Sequence, residues 1–364
     1  MSKPQQSPGS QSSPKKAPVS APLPFDPKQI REVKTWKHNR TLTLCRFDPA
    51  GRFVFAAAYD NLVQRWDLAT NQKTELPGHK TWVGAMAFQP QGGLLFTGDY
   101  AGRVLCWSYA DKNPKPVWSI EAHRGWVRSV SVSPDGRLIA SAGHDNIVRL
   151  WSTTEGKLVR ELTGHTSHIY STAFHSDGRH LVSGDFDGVV KQWQVSTGKP
   201  IRDFDAKLLC SSRDMYPDAS SELNFGGVNS MAFSKDGTLL TCVGFFMYAP
   251  KGGDFEPMGL TFDWSTGKQK WRLQTEKSPK GQTKFLRVVY HPANFPIAVV
   301  NGSTSGLWFW KPSQPISSFT LELPQPKACR DVDVHPDGLQ LAVARYDGTL
   351  AIYDISSKSK PKKN

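Results

Sequence analysis

The residues of this chain best equipped for chemistry are two histidines, each placed identically relative to a serine, an aspartate and a tryptophan. His123, Ser141, Asp145 and Trp151 form one set, and His165, Ser183, Asp187 and Trp193 form the other; serine lies ten and aspartate six positions before tryptophan in both. Aspartate, histidine and serine are the parts of a hydroxyl nucleophile activated through imidazole and oriented by a carboxylate. A hydrolase needs one such set in an open cleft. Here the set recurs 42 residues later, each serine on an apolar strand, so buried structural hydroxyls are expected instead. Cys45, Cys106, Cys210, Cys242 and Cys329 are scattered without metal or disulfide spacing. No cofactor motif and no unexplained carboxylate pair is present. The chain therefore reads as a non-enzyme with no cofactor and no metal.

A repeat positions these sets. The turn Pro-Asp-Gly, or a near copy, occurs seven times: Asp48-Pro49-Ala50-Gly51, Gln89-Pro90-Gln91-Gly92, Ser133-Pro134-Asp135-Gly136, His175-Ser176-Asp177-Gly178, Ser234-Lys235-Asp236-Gly237, His291-Pro292-Ala293-Asn294 and His335-Pro336-Asp337-Gly338. Their second residues lie 41, 44, 42, 59, 57 and 44 apart. Proline presets the first corner, Asp bonds its own backbone, and Gly supplies the positive φ that closes a hairpin. Alternating strands flank each turn. In the third copy Val130 and Val132 precede it, Leu138 and Ile139 follow, and a second turn at His144-Asp145-Asn146 leads into Ile147–Trp151 and then Lys157–Leu162. That is four antiparallel strands per unit of about 42 residues.

The strand-ending pairs are Trp66-Asp67, Trp107-Ser108, Trp151-Ser152, Trp193-Gln194, Phe262-Asp263, Trp310-Lys311 and Tyr353-Asp354, with Gly78-His79, Gly164-His165 and the variant Ala122-His123 ahead of three units. In these residues, over about 30 to 355, the chain resembles the WD-repeat (WD40) family. The wording of repeats three and four is similar to that of bacterial WD-repeat proteins. The resemblance implies an all-β, seven-bladed propeller. Ile30–Trp36 is a strand with no partners before it, and Leu350–Asp354 is a third strand with no fourth after it. The first strand is therefore expected to complete the last blade and remove the open edges. The resemblance also implies that His, Ser, Asp and Trp of each set form one buried hydrogen-bonded chain. Other blades depart from it: blade two has His79 and Thr97 but Ala101 for Asp, blade one has Asp60 and Trp66 but Ala56 for the hydroxyl, and blade seven has Asp347 with Val343 and Tyr353. Blades three and four are expected to be the most stable, and five and six the least regular.

Partner binding is expected on one rim. The residues before the turn aspartate are Tyr59, Tyr100, His144, Phe186 and Tyr346, and those opening three inner strands are Trp82, Trp126 and His168. The resemblance places them around the channel mouth, with Arg128 and Arg330 near enough to pair with acidic groups. Exposed aromatics and arginines are typical interface anchors, although they would equally cap the channel by stacking on one another. Two insertions, about 205–227 and 244–258, interrupt blade five and carry Tyr216, Phe246 and Tyr248. They read either as docking loops or as a patch over an irregular blade.

Composition bounds the rest. The net charge is +13. Residues 1–28, rich in Ser, Pro, Gln and Lys, are expected to be a disordered tail, 29–356 the propeller, and 357–364 a basic tail. Lys3, Lys15, Lys16 and Lys28 less Asp26 contribute +3, and Lys358, Lys360, Lys362 and Lys363 contribute +4. No apolar span or signal core appears, so a cytoplasmic protein is expected. The functional reading is a scaffold for a protein or peptide partner. The alternative is a propeller that binds anionic ligands or nucleic acid through its basic tails.

Overall fold

The computed structural model describes residues 26, 29–211, 225–249, 254–274, 281–312, 314–323 and 328–356. The tails expected over 1–28 and 357–364 lie outside these residues, apart from Asp26. The described residues form seven four-stranded antiparallel sheets. Blade three, for example, runs Val127–Val132, Leu138–Gly143, Val148–Ser152 and Leu158–Leu162 from the channel outwards. Each inner strand packs against that of the next blade, and the last returns to the first, so the blades close a ring.

Closure uses the N-terminal strand as expected. Arg31–Lys37 pairs antiparallel with Thr349–Asp354 as the outer strand of blade seven, with Arg31 opposite Asp354 and Lys37 opposite Thr349. Under this strand lies Arg345, 1% exposed, hydrogen-bonded to the Glu32 carboxylate and to the Tyr353 hydroxyl. The Tyr353 hydroxyl donates in turn to Glu32 at 3.1 Å. Burial lowers the Arg345 pKa, but bonding to Glu32 and the nearby Tyr353 outweigh it and hold the guanidinium charged. The closing strand thus supplies the counter-charge of a buried cation at the end of Gln340–Arg345, the strand beyond the one it pairs with.

The core is divided among the seven blade junctions. Between blades one and two, Phe55, Ala57 and Val63 meet Val83, Leu95 and Trp107; between seven and one, Ala342 and Leu350 meet Leu42, Cys45 and Trp66. All five cysteines are buried free thiols, Cys45, Cys106, Cys242 and Cys329 in these layers. Both faces of each blade are covered, which is why its strands are apolar on both sides.

The repeated turns behave as their residue types require. Gly51, Gly136, Gly178, Gly237 and Gly338 sit at φ between 65° and 74°, and Asn294 takes the same position at 63°. The first residue of the turn has a second role. Gln89 Nε2 donates to the carbonyl of Gly136 (3.0 Å), His175 to Gly237 (3.0 Å), His291 to Gly338 (2.7 Å) and His335 to Gly51 (2.9 Å). In each case the acceptor is the turn glycine of the following blade, so four junctions are stitched on the face opposite the aromatic rim.

Blade five corrects one expectation. Residues 244–249 and 254–258 are strand: Leu239–Ala249 and Asp254–Asp263 continue as a paired ladder beyond the blade, with Gly244 opposite Met258 and Ala249 opposite Asp254. Strand pairing wins because the β-branched and aromatic residues of both arms satisfy each other's backbone. Of the insertion at 205–227, the described part is a short 3-10 turn, Lys207–Leu209, and a two-residue ladder of Cys210–Ser211 with Phe225–Gly226. Leu209 is buried against Val228 and Met258, so this part packs on blade five.

Candidate functional site at the channel mouth

The polar sets turn out to be internal braces. In blade three Trp151 Nε1 donates to the Ser141 hydroxyl (2.8 Å), which lies 2.7 Å from His123 Nε2, while His123 Nδ1 lies 2.8 Å from Asp145. Indole N–H to hydroxyl, hydroxyl to Nε2 and Nδ1–H to carboxylate is the one order that uses every donor once. Ser141 and Ser183 are wholly buried. No substrate can reach these hydroxyls, despite their triad-like order.

Two aspartates in this scheme require correction. The carboxylate on His165 belongs to Asp185 (2.7 Å), not Asp187, and His79 is served by Asp99 (2.9 Å), so blade two lacks nothing at Ala101. Blade two also has the hydroxyl step, from Thr97 to His79 (2.7 Å), with Trp107 donating to Thr97 (2.8 Å). Asp99 and Asp185 stand two residues after the hydroxyl, at the strand end, where the second oxygen of each also accepts two turn amides: Ala101 and Arg103, and Asp187 and Val189. In blade three that position is Gly143, where a Cβ would come within 1.8 Å of the Trp126 carbonyl. No side chain fits there, and the carboxylate comes from the turn as Asp145. Burial raises the Asp145 pKa, but the His123 hydrogen bond and then Arg149 outweigh it, leaving the carboxyl well below the ordinary range. His79 is pushed down by burial, against the pull of Asp99.

Two further braces escape a reading by spacing. His38, from the loop before blade one, lies 2.5 Å from Asp60 and 2.8 Å from Gln64 Nε2. Its 22-residue separation from Asp60 matches that of His123 from Asp145, and that was the available signal. In blade seven Asp347 caps its own turn and faces Lys37, and the position of Asp99 is taken by Arg345.

The rim aromatics form a continuous arc. Ring centroids are 4.4 Å apart for Tyr59 and Trp82, 6.1 Å for Trp82 and Tyr100, 4.4 Å for Tyr100 and Trp126, 4.5 Å for Trp126 and His144, and 4.3 Å for His144 and His168. His168 Nδ1 is held 3.1 Å from the Asn146 amide oxygen. Stacking leaves edges in solvent: Trp82 is 43% and Trp126 41% exposed. Phe186 stands apart, edge-on to Tyr170 at 5.5 Å, and Tyr346 is exposed. Burial, then the neighbouring His168 and Arg128, lower the His144 pKa to about 4. The arc is thus neutral at His144 near pH 7.

Inside the arc opens a cavity of about 740 Å³ along the axis. Six inner strands carry a one-residue bulge, at the second residue for Thr43, Gly84, Arg128, Tyr170 and Arg330 and at the fourth for Leu286. A bulge re-aims a side chain, and all six line the cavity, with Asn229 from blade five. Gly84 has no Cβ because the Tyr100 ring lies across it; a Cβ there would sit 2.3 Å from that ring. Tyr100 accepts from Arg128 through its hydroxyl (2.9 Å), and Tyr59 accepts from Arg330 (2.9 Å). The Arg128 guanidinium also lies 4.5 Å from the centroid of the Tyr170 ring.

Sequence reasoning missed three further cations, Arg46, Lys284 and Arg287, which line the same cavity. Arg46 is paired with Asp331 at 2.5 Å, and Asp331 also accepts from the Cys45 amide. Arg287 is 3.6 Å from Asp331, and burial, then repulsion from Arg46, lower its pKa to about 10. Of the insertion aromatics, Phe246 packs against the core between blades four and five, while Phe245, not anticipated, lines the cavity. Tyr216 lies outside the described residues, and Tyr248 is placed only as a backbone position in the long ladder.

Among the described residues one trio, His175, Asp177 and His180, has ligand atoms close enough for a metal. The turn already accounts for it: His175 Nε2 is engaged with Gly237, its Nδ1 accepts from the Asp177 amide, and His335 and Asp337 pair alike in blade seven with Gln340 in place of the third ligand. No helix of the described residues is long and apolar enough to cross a membrane.

A family model described as WD domain, G-beta repeat matches residues 30–67, 70–108, 114–152, 156–194 and 317–354. The unmatched stretch holds blades five and six. No curated protein matches the chain.

Proposed function

Since its matched repeats cover more than half of its length, the chain belongs to the WD-repeat family, and on that premise we propose that it is a non-catalytic scaffold that binds a protein or peptide segment across the aromatic arc and channel mouth. The observation that carries the reading is the arc itself. Six rings from four blades stack edge to edge beside a cavity, yet two tryptophans keep two-fifths of their surface in water. Stacking fixes the rings in advance, so a partner is met by anchors that lose little conformational freedom. The opposite face, by contrast, spends its polar side chains on turn-to-turn stitches.

Affinity capture from cell extract tests this. Trp126→Ala removes the central ring of the arc, while Lys235→Ala on the opposite face serves as control. Partners retained by wild type and control but lost by Trp126→Ala, at an unchanged melting temperature, are expected. Identical partner sets for all three proteins would refute the site. The nucleic-acid or anionic-ligand alternative draws on tail lysines outside the described residues; binding to polyanions that falls steeply with salt would favour it.

A further inference from the structure

The cations of the channel mouth are arranged as though a counter-ion belonged between them. Arg128, Lys284 and Arg330 line the upper cavity, and among the described residues none of the three forms an ion pair within 4 Å. Arg128 and Arg330 are instead tethered by neutral tyrosine hydroxyls, which fix their direction without discharging them. Among the described residues the one acidic side chain lining this cavity is Asp331, and it is already engaged by Arg46. Five cations thus line a cavity of about 740 Å³ with that carboxylate, while Asp333, in the neighbouring pocket, acts on Arg46 and Arg287 and leaves Arg128, Lys284 and Arg330 unmatched.

Two independent observations indicate that this excess is uncomfortable. Lys284 has a lowered pKa, from burial first and then from the fields of Arg330 and Arg128. Deeper down, the buried Arg287 Nε has no hydrogen-bond partner, because Asp331 lies beyond bonding reach. Like charges gathered in a partly dry cavity are destabilising unless something anionic is taken up.

We infer that the channel mouth recognises a peptide side chain bearing a phosphate-type dianion, held between Arg128, Lys284 and Arg330 while its flanking residues lie on the aromatic arc. The inference rests on the reading of this rim as a peptide site and adds the chemistry of its ligand. A dianion suits the mouth better than a carboxylate: it offers three terminal oxygens to three donors and neutralises more of the excess charge. Planar guanidinium forks match phosphate oxygens in pairs. A peptide is favoured over a free ion because the cavity opens directly beneath the arc, where the Arg128 guanidinium lies 5.8 Å from the Tyr100 ring centroid and 5.9 Å from that of Trp126.

The test uses the full chain in low-salt calorimetry with four probes: a short acetylated Gly/Ser peptide carrying one phosphoserine, its serine and glutamate counterparts, and inorganic phosphate. The phosphoserine peptide is expected to bind and the serine peptide not to. The phosphoserine peptide is also expected to bind more tightly than inorganic phosphate. Replacing either arginine, Arg128→Gln or Arg330→Gln, should weaken binding about tenfold or more, the scale of a lost charge-assisted hydrogen bond. Lys284→Met gives a third variant whose folding does not depend on a tyrosine tether. Equal binding by the serine peptide, wild-type binding in all three variants, or no phosphoserine-peptide binding would overturn the inference. Inorganic phosphate binding as tightly as the peptide would overturn it in favour of a free anion, and a preference for the glutamate peptide would overturn the dianion. Failure here leaves the Trp126→Ala capture result standing, so the two readings fall separately.

Discussion

The identity of the carboxylate in the fourth blade is the sharpest test of how the braces are built. Asp185 and Asp187 are two residues apart in the same turn, and spacing alone favours Asp187. In the structure Asp185 accepts from the buried His165 Nδ1 at 2.7 Å and from the amides of Asp187 and Val189 at 3.0 and 2.9 Å. Asp185→Ala leaves the imidazole N–H without a partner in a site closed to water, costing about 1–3 kcal/mol. The two turn amides can be rehydrated, so each adds about 0.5–1 kcal/mol at most. The total is about 2–5 kcal/mol, against about 1 kcal/mol or less for Asp187→Ala at a partly exposed turn position. For a chain of this size that is a fall in melting temperature of about 3–7 °C for the first variant and about 1.5 °C or less for the second. Differential scanning calorimetry on both, with Ser183→Ala as a reference for loss of the brace, decides it. Equal losses for Asp185→Ala and Asp187→Ala would show that the strand-end carboxylate is not the one that matters.

Two further outcomes follow from the same geometry. Glu32→Gln removes the charge facing Arg345 while nearly preserving shape; because Glu32 is itself about a third exposed, a loss of about 1–2 kcal/mol is expected by thermal unfolding, and an unchanged melting temperature would remove the ion pair from the account of ring closure. His144, with its pKa lowered to about 4 from an unfolded value of 6.5, takes up its proton later than the unfolded chain does; stability from this group is therefore present at pH 7 and is lost as pH falls from about 6.5 towards 4. An NMR titration of the ring should give a midpoint far below that of an exposed histidine, and a midpoint near 6.5 would mean that the stack does not exclude water.

Much of the scaffold was legible because it is repetitive. Seven turns with glycine or asparagine at one position counted the blades, and the unpaired strand at 31–37 together with the unfinished sheet at 349–354 announced closure. The braces were legible in kind but not in every member. Hydroxyl and tryptophan keep constant spacing because both sit on regular paired strands, and histidine keeps it because it stands in a link of equal length, four residues before the inner strand. The aspartate does not, because two backbone positions reach the same nitrogen and a local clash chooses between them. Gly143, excluded from bearing a side chain by the Trp126 carbonyl, explains Asp145; its absence in blades two and four permits Asp99 and Asp185. The long ladder of blade five was misread for a related reason. Gly and Pro around 250–253 signalled a loop, while the arms on either side pair residue by residue.

The channel was the hardest part to anticipate, and the reason lies in the inner strands. Strand reading relies on alternation: every second residue faces one way. A bulge near the start of six inner strands breaks that phase, so that adjacent residues such as Arg128 and Ser129, or Arg330 and Asp331, both line the cavity. Read as a simple alternation, one of each pair would be assigned to a blade interface, and the charges would look like scattered surface residues. Read instead as one column taken from every blade, the bulged residues Thr43, Gly84, Arg128, Tyr170, Leu286 and Arg330 stand together with Asn229, which precedes the inner strand of blade five. This column holds two arginines, each tethered to a tyrosine of a neighbouring blade, one glycine cleared for one of those tyrosines, and no carboxylate. The repeat therefore specifies a position rather than a residue: the bulge of six blades, with Asn229 in blade five, presents independently variable residues to one cavity. A fold this regular acquires individuality most cheaply at that column, since its members take no part in the braces and, Leu286 apart, stand outside the junction cores.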